Sequence, residues 1–180
     1  MIYDNIMLDL ETMGKRPSAP IIYIGAVAFN LEERAVGPVF EAPVHLTSSL
    51  SSGAILEPEV VLWWLRRSED AVARILSAKT NDTLIWGLGK FSEFCRGLCD
   101  KQLLKIWGNG SDFDNVILKE SYERLSMVAP WEFWNNKCYR SKKQEVPYLR
   151  IVREGIKHTA VDDAMSQVKH LFAIYDHLGQ

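Results

Sequence analysis

The sequence predicts an α/β fold in which helices cover both faces of a mixed β-sheet. Three strand-like runs come first, at 5–11, 21–29 and 38–46, and only short connections join them. Strands that follow one another so closely pair as an antiparallel meander. Helical and strand-like segments then alternate along the rest of the chain, which favours further strands in the same sheet with helices packed against it.

The first strand is predicted from the alternation of its side chains. Residues 5–11 place Ile6, Leu8 and Leu10 on one face, because successive side chains of a strand point to opposite faces. The segment GKRPSAP, at 14–20, is rich in glycine and proline and ends this strand.

Beyond residue 47 the sequence predicts mainly helices. The segment SSLSSGA, at 48–54, is expected to be a flexible connection. A helix follows Ser68, Asn81 is expected to cap a longer one, and a further helix is expected to open at Pro147 and close at Gly155. The predicted helices span 57–65, 69–78, 81–98, 112–125, 147–155 and 160–178, and the remaining strands span 103–107 and 133–137.

Composition indicates a globular chain with one core. The 180 residues are 47% hydrophobic and 11% aromatic, which suits a single domain over residues 1–180. With 21 basic and 23 acidic residues the net charge is -2, which excludes a polybasic nucleic-acid coat and a membrane-surface protein.

Cysteine usage and hydropathy indicate a cytoplasmic location. Three cysteines without a nearby histidine cluster argue against a disulfide framework or a zinc site, and favour a reducing compartment. No apolar segment approaches membrane-spanning length, and the N-terminus lacks the features of a signal peptide. We therefore expect no membrane partner.

Two acids interrupt the apolar end of the first strand. Asp9 and Glu11 are two residues apart, so their side chains point to the same face and repel each other. Carboxylates that converge in this way bind hard cations such as Mg²⁺ or Mn²⁺. For an isolated pair of this kind, a solvated polar face on an edge strand is the alternative interpretation.

Two later segments place further acids at element boundaries. In the segment 107–118, Asp112 is expected to be a structural helix cap, whereas Asp114 is redundant for capping. In the segment 157–171, His158 precedes the last helix and Asp162 and Asp163 lie in its first turn, where one of the two acids can interact with the helix dipole. A neutral imidazole beside a water on a metal ion could take the proton of that water.

Each of these signals is weak alone, but their positions agree. Acids occur at the ends of strands one and four and at the start of the last helix, and strand ends of α/β sheets are where sites gather. Four carboxylates and a histidine in one place would suit two-metal phosphoryl transfer.

At these residues the sequence resembles the DEDDh branch of the DnaQ-like 3′–5′ exonucleases, which have an RNase H-like fold. The resemblance covers nearly the whole chain and rests on three motifs in matching order, together with the strand IIYIGAV at 21–27. The motif positions are Asp9, Glu11 and Thr12 of D-x-E-T, then Asn109, Phe113 and Asp114, then His158, Ala160 and Asp163 of H-x-A-x-x-D.

Within that family the sequence is most similar to the phage exonuclease and exonuclease VIII type. The pair Trp63-Trp64 and the run Gly108-Asn109-Gly110 carry this likeness. One extra residue stands between Asn109 and Phe113 compared with proofreading members, so the equivalence of Asn109 is less secure than that of Asp114. The implied fold is a five-stranded mixed sheet, with a three-stranded antiparallel meander and parallel strands, flanked by helices.

The resemblance also implies a catalytic mechanism. Asp9, Glu11 and Asp163 would hold one divalent cation, Asp9 would bridge to a second, and Asp114 would complete the set. His158 would deprotonate the attacking water. The cofactors would be two Mg²⁺ or Mn²⁺ ions, and the product would be a nucleoside 5′-monophosphate released from a 3′ end.

Substrate contacts follow from the same resemblance. Thr12 and Met13 would meet the terminal nucleotide, with Met13 equally suited to the core, and Asn109 and Phe113 would lie near the substrate. One tryptophan of the adjacent pair is expected in the core and the other against nucleic acid, and Trp64 is taken as the substrate contact. The basic run at 135–143 is interpreted either as a solvated face or as a rim that contacts phosphates.

The expected substrate is the 3′ end of single-stranded DNA or RNA, with DNA the first expectation. The alternatives are an exoribonuclease that trims short RNA or RNA tails, and a binding module on the same fold that no longer cuts. Several members of the family are homodimers, so a homodimer is a further expectation of the resemblance.

Overall fold

The fold was analysed in a computed structural model that describes residues 1–156 and 158–180. One five-stranded sheet runs through the molecule, and helices pack on both of its faces. The strands are β1 (Asn5–Thr12), β2 (Ile21–Asn30), β3 (Ala35–Pro43), β4 (Lys105–Gly108) and β5 (Asn136–Cys138). The helices are α1 (Leu46–Ser51), α2 (Pro58–Trp64), α3 (Glu69–Ile75), α4 (Leu84–Leu98), α5 (Asp114–Arg124), α6 (Tyr139–Gln144) and α7 (Ala160–Leu178), with a 3₁₀ turn at Phe133–Asn135.

The strand order is β3-β2-β1-β4-β5. The first three strands form the predicted antiparallel meander, and β4 and β5 are added parallel to β1. The mixed sheet that the resemblance implies is therefore confirmed.

The two faces of the sheet belong to different hydrophobic clusters. Ile6, Leu8 and Leu10 of β1 are buried in the cluster that includes α4 and α5. Met7, on the opposite face, is buried in the cluster that includes α7. Because side chains alternate, Asp9 and Glu11 share the face of Met7 and lie under α7.

The central strand β1 extends beyond its parallel neighbour. Its pairing with β4 ends at Met7 opposite Trp107, whereas its pairing with β2 continues to Thr12. The last residues of β1 are therefore free of a strand on one side, and this gap forms a cleft at the carboxyl end of the parallel strands.

The helix predicted at 147–155 is wrong. Helix α6 ends at Gln144, and no helix forms between Pro147 and Gly155. Backbone groups of this segment bond to side chains of α7 instead: the Leu149 carbonyl lies 2.9 Å from Nε2 of His170, and the Glu154 amide donates to the Ser166 hydroxyl at 3.0 Å. These long-range contacts replace the bonds that a local helix would make.

Smaller differences concern helix starts and one short helix. The expected flexible connection contains α1, in which the buried Ser49 donates its hydroxyl to the carbonyl of Ile21 at 2.5 Å. Thr83, rather than Asn81, caps α4 by accepting the Trp86 amide at 3.3 Å. The Ser49 contact joins residues far apart in the sequence, whereas Thr83 and Asn81 are both preferred cap types, and helix boundaries commonly differ by one or two residues from those expected.

The exposed Asp112 does not cap α5, contrary to expectation, because the N-cap residue is Phe113 and has no side-chain cap. No helix within residues 1–156 or 158–180 is long and apolar enough to cross a membrane.

Gly25 determines how closely α7 approaches the sheet. It lies opposite Asp9 in the pairing of β1 with β2. A Cβ atom at Gly25 would lie 2.6 Å from the carbonyl carbon of Ala160 and 2.7 Å from the amide nitrogen of Val161. The first turn of α7 therefore rests on the bare backbone of β2.

We expect Gly25→Ala to destabilise the protein by about 1–3 kcal/mol, because the added methyl group must push the rigid start of α7 away. Urea unfolding measures this change. Gly97→Ala is the matched control, because no atom lies within 4 Å of a Cβ at this position in α4. The control should stabilise by about 0.5–1 kcal/mol. Equal unfolding midpoints for Gly25→Ala and the wild-type protein would contradict the packing argument.

Candidate active site

Asp9 and Glu11 lie beneath α7 in the cleft. Glu11 is 8% exposed, and its Oε1 is buried without a hydrogen-bond partner among the described residues. Burying a carboxylate oxygen without a hydrogen-bond donor costs free energy, so the Glu11 carboxylate lacks a partner at this oxygen.

The first turn of α7 adds a third carboxylate. Ligand oxygens of Asp9, Glu11 and Asp163 all lie within 4.8 Å of one another, close enough for one cation to contact all three. The Oδ2 atom of Asp163 accepts the backbone amide of His158 at 3.0 Å, and its Oδ1 atom pairs with Arg153.

Asp114 reaches the same cleft from the start of α5. It is 2% exposed and accepts the backbone amides of Leu10 at 3.1 Å and Asn109 at 2.8 Å. It does not belong to the cluster of three, but it ties the end of β1 to the loop after β4. The amides of Leu10 and Asn109 hold the Asp114 carboxylate in place, and a helix-capping role would not explain these contacts.

Burial raises the pKa values of Asp9, Glu11 and Asp114. Burial raises the pKa of Asp9 well above its usual range, and the charges of Asp114, Glu11 and Asp163 add to the effect. Burial, with Asp163 and Asp114, raises the pKa of Glu11 to about 8. Burial raises the pKa of Asp114 to about 6, although its amide donors lower it. Without a cation, the fully ionised cluster is unfavourable.

His158 lies beside the acids in a special backbone conformation. Its φ of 66° is left-handed, a region that non-glycine residues seldom occupy. The imidazole packs edge-on against Trp63, with ring centroids 4.9 Å apart and planes at 78°. The loop therefore holds His158 and Asp163 together through both backbone and side-chain contacts.

The adjacent acids Asp162 and Asp163 have different roles. The Oδ2 atom of Asp162 accepts the Ile156 amide at 2.9 Å and the Thr159 hydroxyl at 2.7 Å. Gly155 has a φ of 72°, and a Cβ there would overlap the Asp162 carboxylate. Asp162 therefore closes the loop before α7, while Asp163 faces the cleft.

The two adjacent tryptophans are distinguished by their burial. Trp64 is 3% exposed and donates its Nε1–H to the carbonyl of Thr12 at 3.0 Å. Met13, 8% exposed, is in the same hydrophobic cluster. Trp63 is 37% exposed, and the guanidinium carbon of Arg67 lies 4.3 Å from the centroid of its ring. The ring with free surface is thus Trp63, and Trp64 supports the strand end.

The remaining expected substrate contacts line the cleft. The Thr12 hydroxyl donates to the carbonyl of Gly14 at 2.6 Å, which tightens the turn after β1. Asn109 has a buried Oδ1 without a partner among the described residues, and the half-buried Phe113 follows in the same loop. The cleft has a volume of about 530 Å³, and all the predicted site residues except Met13 line it.

Gln167 also belongs to this cleft and is not identified from the sequence. It is 3% exposed, and its Nε2 donates to Asp9 Oδ1 at 2.8 Å. It follows Asp163 by four residues and so lies on the same face of α7. A polar residue one turn after a motif acid, on the apolar face of a helix, is the signal that could have found it.

The chain matches a family model and a curated relative. The Rv2179c-like model, described as a 3′–5′ exoribonuclease domain, matches residues 4–175. The exodeoxyribonuclease of Enterobacteria phage T4 is 23% identical over 166 residues, which cover 81% of this chain and 73% of the phage protein.

Solved structures share the fold at low sequence identity. The nuclease domain of 3′hExo, a DEDDh family member bound to rAMP, has a TM-score of 0.62 at 15% identity, covering 97% of this chain and 93% of that chain. Pop2p from S. pombe, in a form with Mg²⁺ and Mn²⁺ bound, has a TM-score of 0.63 at 16% identity, with 97% and 83% covered. E. coli exonuclease I in complex with a dA16 oligonucleotide has a TM-score of 0.57 at 17% identity, with 97% and 42% covered.

The family match spans nearly the whole chain, and the DEDDh motifs meet in one cleft of the shared fold. The chain therefore belongs to the Rv2179c-like 3′–5′ exoribonuclease domain family and is a hydrolytic 3′–5′ exonuclease.

Proposed function

We propose that this protein, as one exonuclease domain over residues 1–180, removes nucleoside 5′-monophosphates from the 3′ end of single-stranded nucleic acid with two divalent cations. The observation that carries the proposal is the convergence of Asp9, Glu11 and Asp163 within 4.8 Å, beside the buried Asp114.

The donor set fits a hard cation. The candidate ligands are carboxylate oxygens, and Oε1 of Glu11 is buried without a hydrogen-bond partner among the described residues. Mg²⁺ and Mn²⁺ favour such ligands. When bound, the cations would supply charge neutralisation at the phosphodiester and at the leaving 3′-oxygen.

His158 is proposed as the general base. Its side chain lines the cleft next to Asp163, whose carboxylate accepts the His158 amide. A neutral imidazole at this position accepts the proton of the attacking water. Trp63 packs against the ring and limits its rotation.

The proposed nucleotide contacts lie around the same cleft. The exposed ring of Trp63 and the half-buried Phe113 offer surfaces to a base, and Asn109 offers a buried amide oxygen to a donor. Stacking of this kind contributes about 1–3 kcal/mol per base. Thr12 would meet the terminal nucleotide through backbone that Trp64 holds in place.

The choice between DNA and RNA has support on each side. The family description names an exoribonuclease, and the phage T4 relative is an exodeoxyribonuclease. The 2′-hydroxyl is the group that distinguishes the two substrates. A module that binds without cutting is disfavoured, because a disused site has no reason to retain repelling carboxylates.

We expect 5′-labelled single strands to shorten from the 3′ end in Mg²⁺ or Mn²⁺. Matched DNA and RNA oligonucleotides, digested side by side, identify the substrate by the faster rate. Asp114→Asn should lower the rate about 100-fold or more, because one acid of the cation site is lost. Asp112→Asn, an exposed acid in the same loop, is the control and should cut normally. No shortening of either strand would contradict the proposal.

We expect Glu11→Gln to stabilise the metal-free protein at pH 8.5. The folded pKa of about 8 lies above the ordinary 4.5, so ionisation costs stability increasingly as pH rises through this interval. Each pKa unit corresponds to about 1.4 kcal/mol. The free energy of unfolding of Glu11→Gln should therefore exceed that of the wild-type protein by a few kcal/mol at pH 8.5. Urea unfolding should show that this difference shrinks towards pH 5.

Addition of Mn²⁺ should reverse this order by stabilising the wild-type protein far more than the variant. Glu32→Gln, at an exposed position, should show neither effect. A wild-type protein that equals Glu11→Gln in stability at pH 8.5 without metal would disprove the repulsion argument.

We expect Gln167→Met to weaken Mn²⁺ binding about 10–100-fold, because Asp9 loses the donor that orients it. Isothermal titration calorimetry measures the affinity. Ser166→Ala is the control, since it deletes the hydrogen bonds of a buried α7 hydroxyl to the backbone of Asp162 and Glu154, none of which involves a carboxylate of the cluster. Equal Mn²⁺ affinities for Gln167→Met and the control would remove the positioning role.

A further inference from the structure

The basic side chains of the run at 135–143 lie on different parts of the surface. Lys142 pairs with Glu145 at 2.8 Å and lies over the ring of Tyr175. Lys137 lines a second cavity at the opposite end of β4. Arg140 and Lys143 line the active-site cleft.

Helix α6 holds these two cations on one face. They are three residues apart, a spacing that places side chains next to each other on a helix. Tyr139, at the start of α6, is 1% exposed, and its hydroxyl lies 2.6 Å from Nδ1 of the buried His170. This anchor fixes α6 against α7, so Arg140 and Lys143 point into the cleft from a rigid support.

Arg140 also packs against the loop that carries Asn109. Its guanidinium carbon lies 3.7 Å from the position of a Cβ at Gly110, whose φ is 155°. The guanidinium therefore lies at contact distance from this loop, beside the cleft. Asp114, on the far side of this loop, is close enough for Arg140 to lower its pKa.

The positively charged side chains Arg140, Lys143 and Arg153 lie close together at the cleft. Burial lowers the pKa of Lys143, and the charges of Arg140 and Arg153 lower it further. Arg153 pairs with Asp163, but among the ion pairs of residues 1–156 and 158–180 none includes Arg140 or Lys143. Arg140 and Lys143 are therefore like charges held close together without an ion pair of their own, an arrangement that favours an anionic ligand.

We propose that Arg140 and Lys143 bind the backbone phosphate adjacent to the scissile one. This inference rests on the proposed function. In the proposed function the acids would hold cations that neutralise the scissile phosphate, so the charges of α6 remain for the next phosphate along the strand. Guanidinium and ammonium groups are the usual ligands of phosphate oxygens. The site would therefore require a substrate with a second phosphate.

The test compares two substrates and two double variants. A five-nucleotide single strand has further phosphates, whereas thymidine 5′-monophosphate p-nitrophenyl ester has only the scissile one. Arg140→Ala/Lys143→Ala removes the proposed site, and Lys137→Ala/Lys142→Ala removes the same charge from the same run.

We expect the Arg140→Ala/Lys143→Ala variant to raise KM for the pentanucleotide at least about tenfold, with kcat little changed, and to cleave the ester normally. Anisotropy of a labelled pentanucleotide in Ca²⁺ should show weaker binding and a salt slope smaller by about 0.7 for each lost contact. The Lys137→Ala/Lys142→Ala variant should match the wild-type protein in all three measurements.

An unchanged KM and salt slope would overturn the inference, as would equal losses on pentanucleotide and ester or equal losses in the two double variants. If the wild-type protein cut neither substrate, the proposed function would fail. The anisotropy would still decide the phosphate site, because binding in Ca²⁺ does not depend on cleavage.

Discussion

The close packing of α7 on Gly25 is the contact on which the site depends. Because Gly25 has no side chain, the first turn of α7 rests on the backbone of β2 directly opposite Asp9. That approach brings Asp163 within reach of the acids of β1, and one turn later it brings Gln167 into hydrogen-bonding distance of Asp9. A larger residue at position 25 would move Asp163 of α7 away from Asp9 and Glu11 of β1.

Charge is arranged across the cleft in two opposed groups. Acids from β1, α5 and α7 lie at the strand ends, where burial raises the pKa values of Asp9, Glu11 and Asp114, and repulsion raises those of Asp9 and Glu11 further. Arg140 and Lys143 of α6 line the same cleft, whereas Arg153 pairs with Asp163. The acids and the two cations of α6 together suit a ligand that brings cations to one side and phosphates to the other.

The supports of the site are as specific as its acids. Trp64 donates a hydrogen bond to the backbone at the end of β1, and Tyr139 anchors helix α6, which carries Arg140 and Lys143. The loop before α7 is closed by Asp162, so that His158 can adopt its left-handed conformation beside Asp163. These groups have no direct part in the proposed chemistry, but they determine where the reacting groups lie.

The sequence by itself determined the meander, the mixed sheet and the last helix, because their apolar periodicities are regular, and it identified the motif acids by their order. It could not distinguish Trp63 from Trp64, since adjacent helical residues differ only in what the tertiary fold covers. The hydrogen bond of Gln167 to Asp9, the division of the basic run between the cleft and other surfaces, and the non-helical path at 147–155 also became evident only in the tertiary structure. Those depend on contacts between residues far apart in the chain, and such contacts exist only once the helices pack on the sheet.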